Sequence, residues 1–174
     1  MKKIVSTAML LAGLFISCTS EAQQDKSKRP SPPASAIQVI TSGAEIGIDY
    51  SQPSVKGRTI GKDLEPKDGE VWRTGANEAT VFETSKAIKV EGKELPAGKY
   101  ALFTISGADS WTIIFNKTFK QWGAFKYSQA DDALRVTVKP QKAATFAEKM
   151  TFSIDKSGVV TLLWADLKVS FTVE

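Results

Sequence analysis

Apolar side chains in this chain recur at every second position, a spacing that restricts it to extended strands with one buried face. Ile46, Ile48 and Tyr50 alternate with Gly47 and Asp49, and Leu134, Val136 and Val138 alternate with Arg135 and Thr137. Met150, Phe152 and Ile154 alternate with Thr151 and Ser153, and Leu167, Val169, Phe171 and Val173 with Lys168, Ser170 and Thr172. Residues 100–105, 111–115 and 159–164 are apolar at consecutive positions, which predicts central strands covered on both sides. Further strands are expected over residues 37–40, 71–73, 80–84 and 88–90. Turn-forming clusters separate these runs: Glu91-Gly92-Lys93-Glu94, Pro96-Ala97-Gly98, Ser106-Gly107-Ala108-Asp109 and Asp155-Lys156-Ser157-Gly158. Nearly every connection is short, which permits hairpins and excludes βαβ crossovers. Residues 143–148 read as one helical turn and residues 61–69 as an irregular loop. The expected fold is all-β, a single antiparallel β-sandwich over residues 37–174, with a lipocalin-like closed barrel as the alternative.

The start of the chain follows a different rule. Met1-Lys2-Lys3 precedes an apolar run, residues 4–16, broken only by Ser6, Thr7 and Gly13. That run is too short for a membrane span, which needs ~20 apolar residues, and it has the layout of a secretory signal peptide. Phe15-Ile16-Ser17-Cys18 resembles a lipobox, with Phe at the position usually held by Leu; in a lipobox the Cys is acylated and becomes the first mature residue. Residues 1–17 are therefore expected to be a lipoprotein signal. Cys18 would anchor the protein to the membrane without a spanning helix, on the periplasmic side. The alternative is cleavage after Ala22, which would leave a soluble periplasmic protein. Residues 18–36 are rich in Gln, Ser, Lys and Pro and read as a flexible tether.

Composition removes several function classes. The 174 residues contain no His and one Cys, so a Ser-His-Asp triad, an imidazole base and a Cys-cluster metal site are excluded. The formal charge of +4 is mildly basic. Lys2 and Lys3 leave with the signal, and Lys26, Lys28 and Arg29 outweigh Glu21 and Asp25 in the tether. The folded part then keeps a net charge of about +1, with no basic run interleaved with aromatics, so nucleic acid is not an expected partner. No loop alternates Asp and Asn before a closing Glu, and no Ser-x-x-Lys motif is placed for catalysis; neither metal nor cofactor is expected.

Two segments carry residues suited to binding. The first is Val71-Trp72-Arg73-Thr74-Gly75-Ala76-Asn77-Glu78-Ala79-Thr80. Arg73 offers a planar guanidinium fork for carboxylate, phosphate or sugar hydroxyls, and Trp72 a stacking surface. Gly75 permits a turn bringing Arg73 and Asn77 to one side. The competing arrangement pairs Arg73 internally with Glu78 or Asp49 and spends Asn77 on turn backbone. The second segment is Gln121-Trp122-Gly123-Ala124-Phe125-Lys126-Tyr127, in the longest interior connection. Trp122 and Tyr127 could stack a flat ligand, or the loop could fold back over the sandwich. Asp131, Asp132, Glu78 and Glu83 are the carboxylates available for an acid/base pair. The expected function is non-catalytic binding of a small molecule, glycan or envelope partner near Trp72, Arg73, Asn77, Glu78, Trp122 and Tyr127. A carboxylate-dependent glycan hydrolase and a protein-interaction module are the alternatives.

These segments, with Tyr50-Ser51-Gln52-Pro53-Ser54-Val55-Lys56-Gly57-Arg58, residues 95–105, 111–117 and 134–140, resemble domain-of-unknown-function family 2911. The Trp72–Thr80 block is the most specific part, and the resemblance covers the whole domain. It implies an exported protein of Gram-negative bacteria of the Bacteroidetes type, and no activity. The loop Gly61-Lys62-Asp63-Leu64 departs from the family pattern, in which an apolar or aromatic residue tends to precede the Gly.

Overall fold

The computed structural model describes residues 25–174; the expected signal peptide, Cys18 and the alternative cleavage point at Ala22 lie outside the described residues. Eleven strands follow in order: β1 Pro33–Val39, β2 Glu45–Ser51, β3 Val71–Trp72, β4 Thr80–Thr84, β5 Ile88–Val90, β6 Lys93–Leu95, β7 Gly98–Ile105, β8 Trp111–Asn116, β9 Asp132–Val138, β10 Gln141–Ile154 and β11 Val159–Thr172. Two 3-10 turns, Lys26–Lys28 and Gln129–Asp131, are the only helical pieces among the described residues.

Strands pair antiparallel in the order β1-β2-β4-β7-β8-β9, with β3 added to β7. Both β1 and β9 are sheet edges, so the sheet is open and the closed barrel is excluded. The long β10–β11 hairpin covers the inner face, and the protein is an antiparallel β-sandwich. Ile46, Ile48, Phe82, Leu102 and Phe115 from the sheet meet Met150, Phe152, Leu162, Trp164 and Phe171 from the hairpin. Phe82 and Phe115 pack edge-on at 4.9 Å, and the Tyr50 hydroxyl accepts the Phe152 N–H at 3.2 Å, joining the layers.

β7 and β8 are covered on both faces as the consecutive apolar runs predict. Their outer face, Ala101, Phe103 and Ile114, lies under Phe119, Ala124 and Tyr127 of the connection between β8 and β9. Residues 159–164 differ: their even-numbered side chains are buried and the odd ones half-exposed, so this stretch alternates after all. It is continuous with the following alternating run in one strand. Ala165 (φ 54°) is the reason, because the bulge there moves burial from Val160, Leu162 and Trp164 to Val169, Phe171 and Val173.

Three further expectations change. Residues 143–148 form part of β10 rather than a helical turn, since pairing with β11 supplies the backbone bonds a short helix could not satisfy alone. β6 is an additional strand; Glu91 and Gly92, both at positive φ, form the tight turn joining it to β5. The tether ends sooner than residue 36. β1 begins at Pro33, whose missing N–H is tolerated at the first residue of an edge strand, and the segment before it is bonded to the domain.

Candidate functional site

The Trp72–Thr80 block leaves β3, turns through two non-glycine residues at positive φ (Thr74 and Asn77), and enters β4. The turn is closed by Thr80 donating its hydroxyl to the Thr74 carbonyl at 2.8 Å and its N–H to the Arg73 carbonyl at 3.2 Å. Gly75 sits in a tight space here: a Cβ would lie 3.1 Å from the Ser51 carbonyl and 3.0 Å from Thr80 Oγ1, so its neighbours would have to give way by a few tenths of an ångström. This turn separates the predicted site residues instead of gathering them.

Trp72 is 3% exposed, with its indole N–H donated to the Gly75 carbonyl at 3.1 Å, so it is core and offers no stacking face. Arg73 pairs with neither Glu78 nor Asp49, and no carboxylate lies within 4 Å of it among the described residues. Its Nε is buried without a hydrogen-bond partner, and the residue lines a cavity of about 180 Å³ with Ser31, Arg58, Glu65, Trp72 and Trp164. Burial pushes the guanidinium down from its ordinary value, and the Glu65 charge acts in the opposite sense.

Asn77 and Glu78 bind the chain that precedes β1. Asn77 donates its amide to the Ser31 carbonyl at 3.0 Å. Glu78 receives Arg29 in two hydrogen bonds, at 3.1 and 2.9 Å, and Lys26 at 3.0 Å. Burial raises the Glu78 carboxyl, but the hydrogen bonds from Lys26, its own backbone and Arg29 outweigh it and hold the group at about 2. Arg29, Lys26 and Ser31 are contacts that sequence reasoning missed. No local signal marks a partner 49 residues away in a Pro- and Ser-rich stretch.

The sign of the Glu78 effect sets an acid response. A depressed carboxylate stabilises the fold above its ordinary value of 4.5 and loses that contribution as pH falls from there through about 2. Because the pair is partly exposed, Glu78→Gln is expected to cost only ~0.5–1 kcal/mol at pH 7. The variant should also show a flatter loss of stability between pH 4.5 and 2 in urea titrations. A variant with an unchanged acid limb would contradict the latch.

Trp122 stands beside this latch and is 56% exposed. Its position is fixed by backbone: the Ala79 N–H donates to the Gln121 carbonyl at 3.0 Å and the Gly123 N–H to the Asn77 carbonyl at 3.1 Å. Arg29 lies over the indole at 5.9 Å. Trp122 and Glu78 border an open groove of about 460 Å³ with an apolar floor of Ala79, Val81 and Phe119 and polar walls of Asp49, Lys99, Lys120 and Gln121. Tyr127 belongs elsewhere. It packs edge-on against Phe103 at 5.1 Å, donates its hydroxyl to Asp132 at 2.8 Å and accepts from Arg135, so it fastens the loop down.

The carboxylates considered for acid/base work are mostly tied to cations: Glu78 to Arg29 and Lys26, Glu83 to Lys99 at 2.9 Å, and Asp132 to Arg135 at 2.6 Å. Asp131 accepts from the Thr118 hydroxyl at 3.4 Å. A glycosidase acid must hold its proton near neutral pH, and a carboxyl at about 2 does not. A concavity of about 490 Å³ at the β5–β6 hairpin is lined mainly by Ala87, Ile88, Leu95 and Pro96 and by none of these groups.

Fold and site together define a single antiparallel β-sandwich domain that presents a half-exposed aromatic groove and a separate arginine-lined cavity. A family model described as Protein of unknown function (DUF2911) matches residues 31–173, and the chain belongs to that family. No curated protein and no solved structure matches it.

Proposed function

We propose that the chain is an exported, lipid-anchored envelope protein whose domain binds a glycan in the groove beside Trp122. The observation that carries this reading is an indole held half-exposed by backbone hydrogen bonds at the rim of a groove with an apolar floor and charged walls. An exposed indole at the rim can stack on the apolar C–H face of a sugar ring while the sugar hydroxyls reach Lys99, Lys120, Asp49 or Gln121. The anchor fits the same picture. Six residues lie between Cys18 and Asp25, a reach of no more than ~25 Å, and Lys26 is bonded to Glu78 at the groove. A ligand at the membrane surface would lie within range.

Trp72, Trp111 and Trp164 are buried, so fluorescence change on ligand addition reports chiefly on Trp122. Titration with envelope oligosaccharides should shift emission to shorter wavelength, and Trp122→Ala, followed by calorimetry because it lacks the reporting indole, should weaken affinity at least about tenfold, as for an aromatic hot spot. No glycan-dependent shift, or equal affinity in the variant, would refute the groove. Separately, lipid labelling should be present in the wild type and absent in Cys18→Ala; absence in both would refute the anchor.

A further inference from the structure

We infer that the tip of the connection between β8 and β9 docks on an anionic lipid surface, with Phe125 set into the bilayer interface and the loop lysines against the phosphates. The inference goes beyond the glycan groove. Neither Phe125 nor Lys126 lines that groove, so either reading can fail alone. It rests on the proposed anchor only for the nearness of a bilayer.

Exposure is the first observation. Phe125 is 86% exposed, more than any other large hydrophobic side chain among the described residues, and Trp122 is exposed three positions before it. Single apolar residues on a surface need no explanation, but this pair is held in place by the fold. Phe119, Ala124 and Tyr127 of the same loop pack inward on Ala101, Phe103 and Ile114. Phe125 stands in the turn closed by the Tyr127 N–H donating to the Ala124 carbonyl at 3.1 Å, and its ring lies over Gly123. The loop therefore meets a surface already ordered, with little conformational entropy left to lose.

Charge then selects the partner. Residues 117–127 contain Lys117, Lys120 and Lys126 and no Asp or Glu. None of these lysines forms an ion pair among the described residues. The carboxylates beside the loop are largely matched, Glu78 by Lys26 and Arg29 and Asp132 by Arg135, which leaves Asp131 against three free cations. Exposed aromatic rings flanked by lysines suit the headgroup region, where rings sit at the interface and Lys meets lipid phosphate. The course of the chain brings that surface close. The segment before β1 reaches the domain at this loop, with Arg29 lying 5.9 Å over Trp122 and Lys26 bonded to Glu78. With the anchor at Cys18, at most ~25 Å of chain separates Asp25 from the lipid. A basic patch beside a lipid chain supplies the second signal that stable membrane attachment needs.

The test uses the chain from Cys18 to Glu174, coupled through its one thiol to a maleimide lipid in vesicles, so that natural acylation does not enter. The vesicles are phosphatidylethanolamine and phosphatidylglycerol with brominated acyl chains, and brominated phosphatidylcholine is the neutral control. Trp72, Trp111 and Trp164 are buried, so bromine quenching reads Trp122. Wild type should be quenched on the anionic vesicles, and the uncoupled chain should co-sediment with them, less so as salt rises. Phe125→Ser should lower partitioning at least about tenfold and remove the quenching. It should unfold at the wild-type temperature, because the side chain it replaces is exposed. Lys126→Gln should lower partitioning about fivefold on anionic vesicles and leave neutral ones unaffected. Uncoupled Phe125→Ser should bind glycan as wild type does, and a groove that binds no glycan leaves the vesicle result standing. The proposal is overturned if wild type is unquenched, if Phe125→Ser is quenched equally, or if neutral vesicles quench as strongly as anionic ones.

Discussion

Replacing Gly158 by alanine should remove a large part of the stability of this domain. Gly158 sits in the turn between β10 and β11 at φ 92°, a backbone conformation that an L side chain rarely adopts. A Cβ placed there would lie 1.9 Å from the Val173 carbonyl oxygen and 3.0 Å from its carbon. The obstructing atoms are backbone, so no rotamer change relieves the overlap. They are also fixed in place, since the Val173 N–H donates to the Gly158 carbonyl at 2.9 Å and the Gly158 N–H to the Asp155 carbonyl at 3.0 Å. Accommodation would have to part the end of β11 from the turn, and fully buried Val173 would move with it.

Strain at positive φ costs ~1–2 kcal/mol and overpacking a further ~1–3 kcal/mol, so a loss of ~2–5 kcal/mol is expected for Gly158→Ala. That is a substantial share of the ~5–15 kcal/mol by which domains of this kind are stable. Gly92 supplies the internal comparison. It has φ 77° in the turn between β5 and β6, and a methyl group there would meet nothing within 4 Å, so Gly92→Ala should show the strain alone, ~1 kcal/mol. Urea unfolding of both variants separates the two contributions. Similar losses in the two would show that close approach to Val173 is not the determining contact.

The sandwich is legible in the sequence because period-two burial is a local property. In β2, Ile46, Ile48 and Tyr50 declare their face without reference to any other strand. Sequence and structure part where a distant partner decides the outcome. Ala143 to Glu148 has residues compatible with a helix, but β11 lies alongside and extends it. At Ala165 a single left-handed residue switches the buried face, and nothing in its immediate neighbours specifies that. The site divides in the same way. Composition picks out Arg73, Asn77, Glu78 and Trp122, yet their roles depend on contacts across the sequence. Arg29 reaches Glu78 from the expected tether, and Arg58 with Glu65 meets Arg73 from a loop. Trp72 reads as a stacking residue in the sequence because only its burial and its indole bond to Gly75 mark it as core.

The second large effect is expected at Asp132, which shows how the fold supports the groove. Its side chain is 7% exposed and accepts three hydrogen bonds: from Arg135 Nε at 2.6 Å, the Tyr127 hydroxyl at 2.8 Å and Asn116 Nδ2 at 2.8 Å. Arg135 also donates to the Tyr127 hydroxyl, closing the network. Burial lowers the Arg135 guanidinium, but Asp132 and Tyr127 reverse that and leave it raised, while burial and Asp132 raise the Tyr127 phenol. Asp132→Ala would leave a cation and a phenol without their acceptor, and because Arg135 is partly exposed the loss of these charge-assisted bonds should cost ~2–3 kcal/mol. Asp132→Asn keeps the shape and should cost less. The damage should reach Trp122, because Tyr127 and Asn116 hold the two ends of the loop that carries it, Asn116 by accepting the Thr118 N–H and donating to the Ser128 carbonyl, both at 3.0 Å. Acrylamide should therefore quench Trp122 more readily in Asp132→Ala under conditions where the domain is still folded. Adding Arg135→Met should recover part of the lost stability, since the charge left unpaired is then removed, but not the ordering of the loop. A loss below about 1 kcal/mol in Asp132→Ala, short of the cost of losing charge-assisted hydrogen bonds, would show that the loop is held by apolar packing on Phe103 instead.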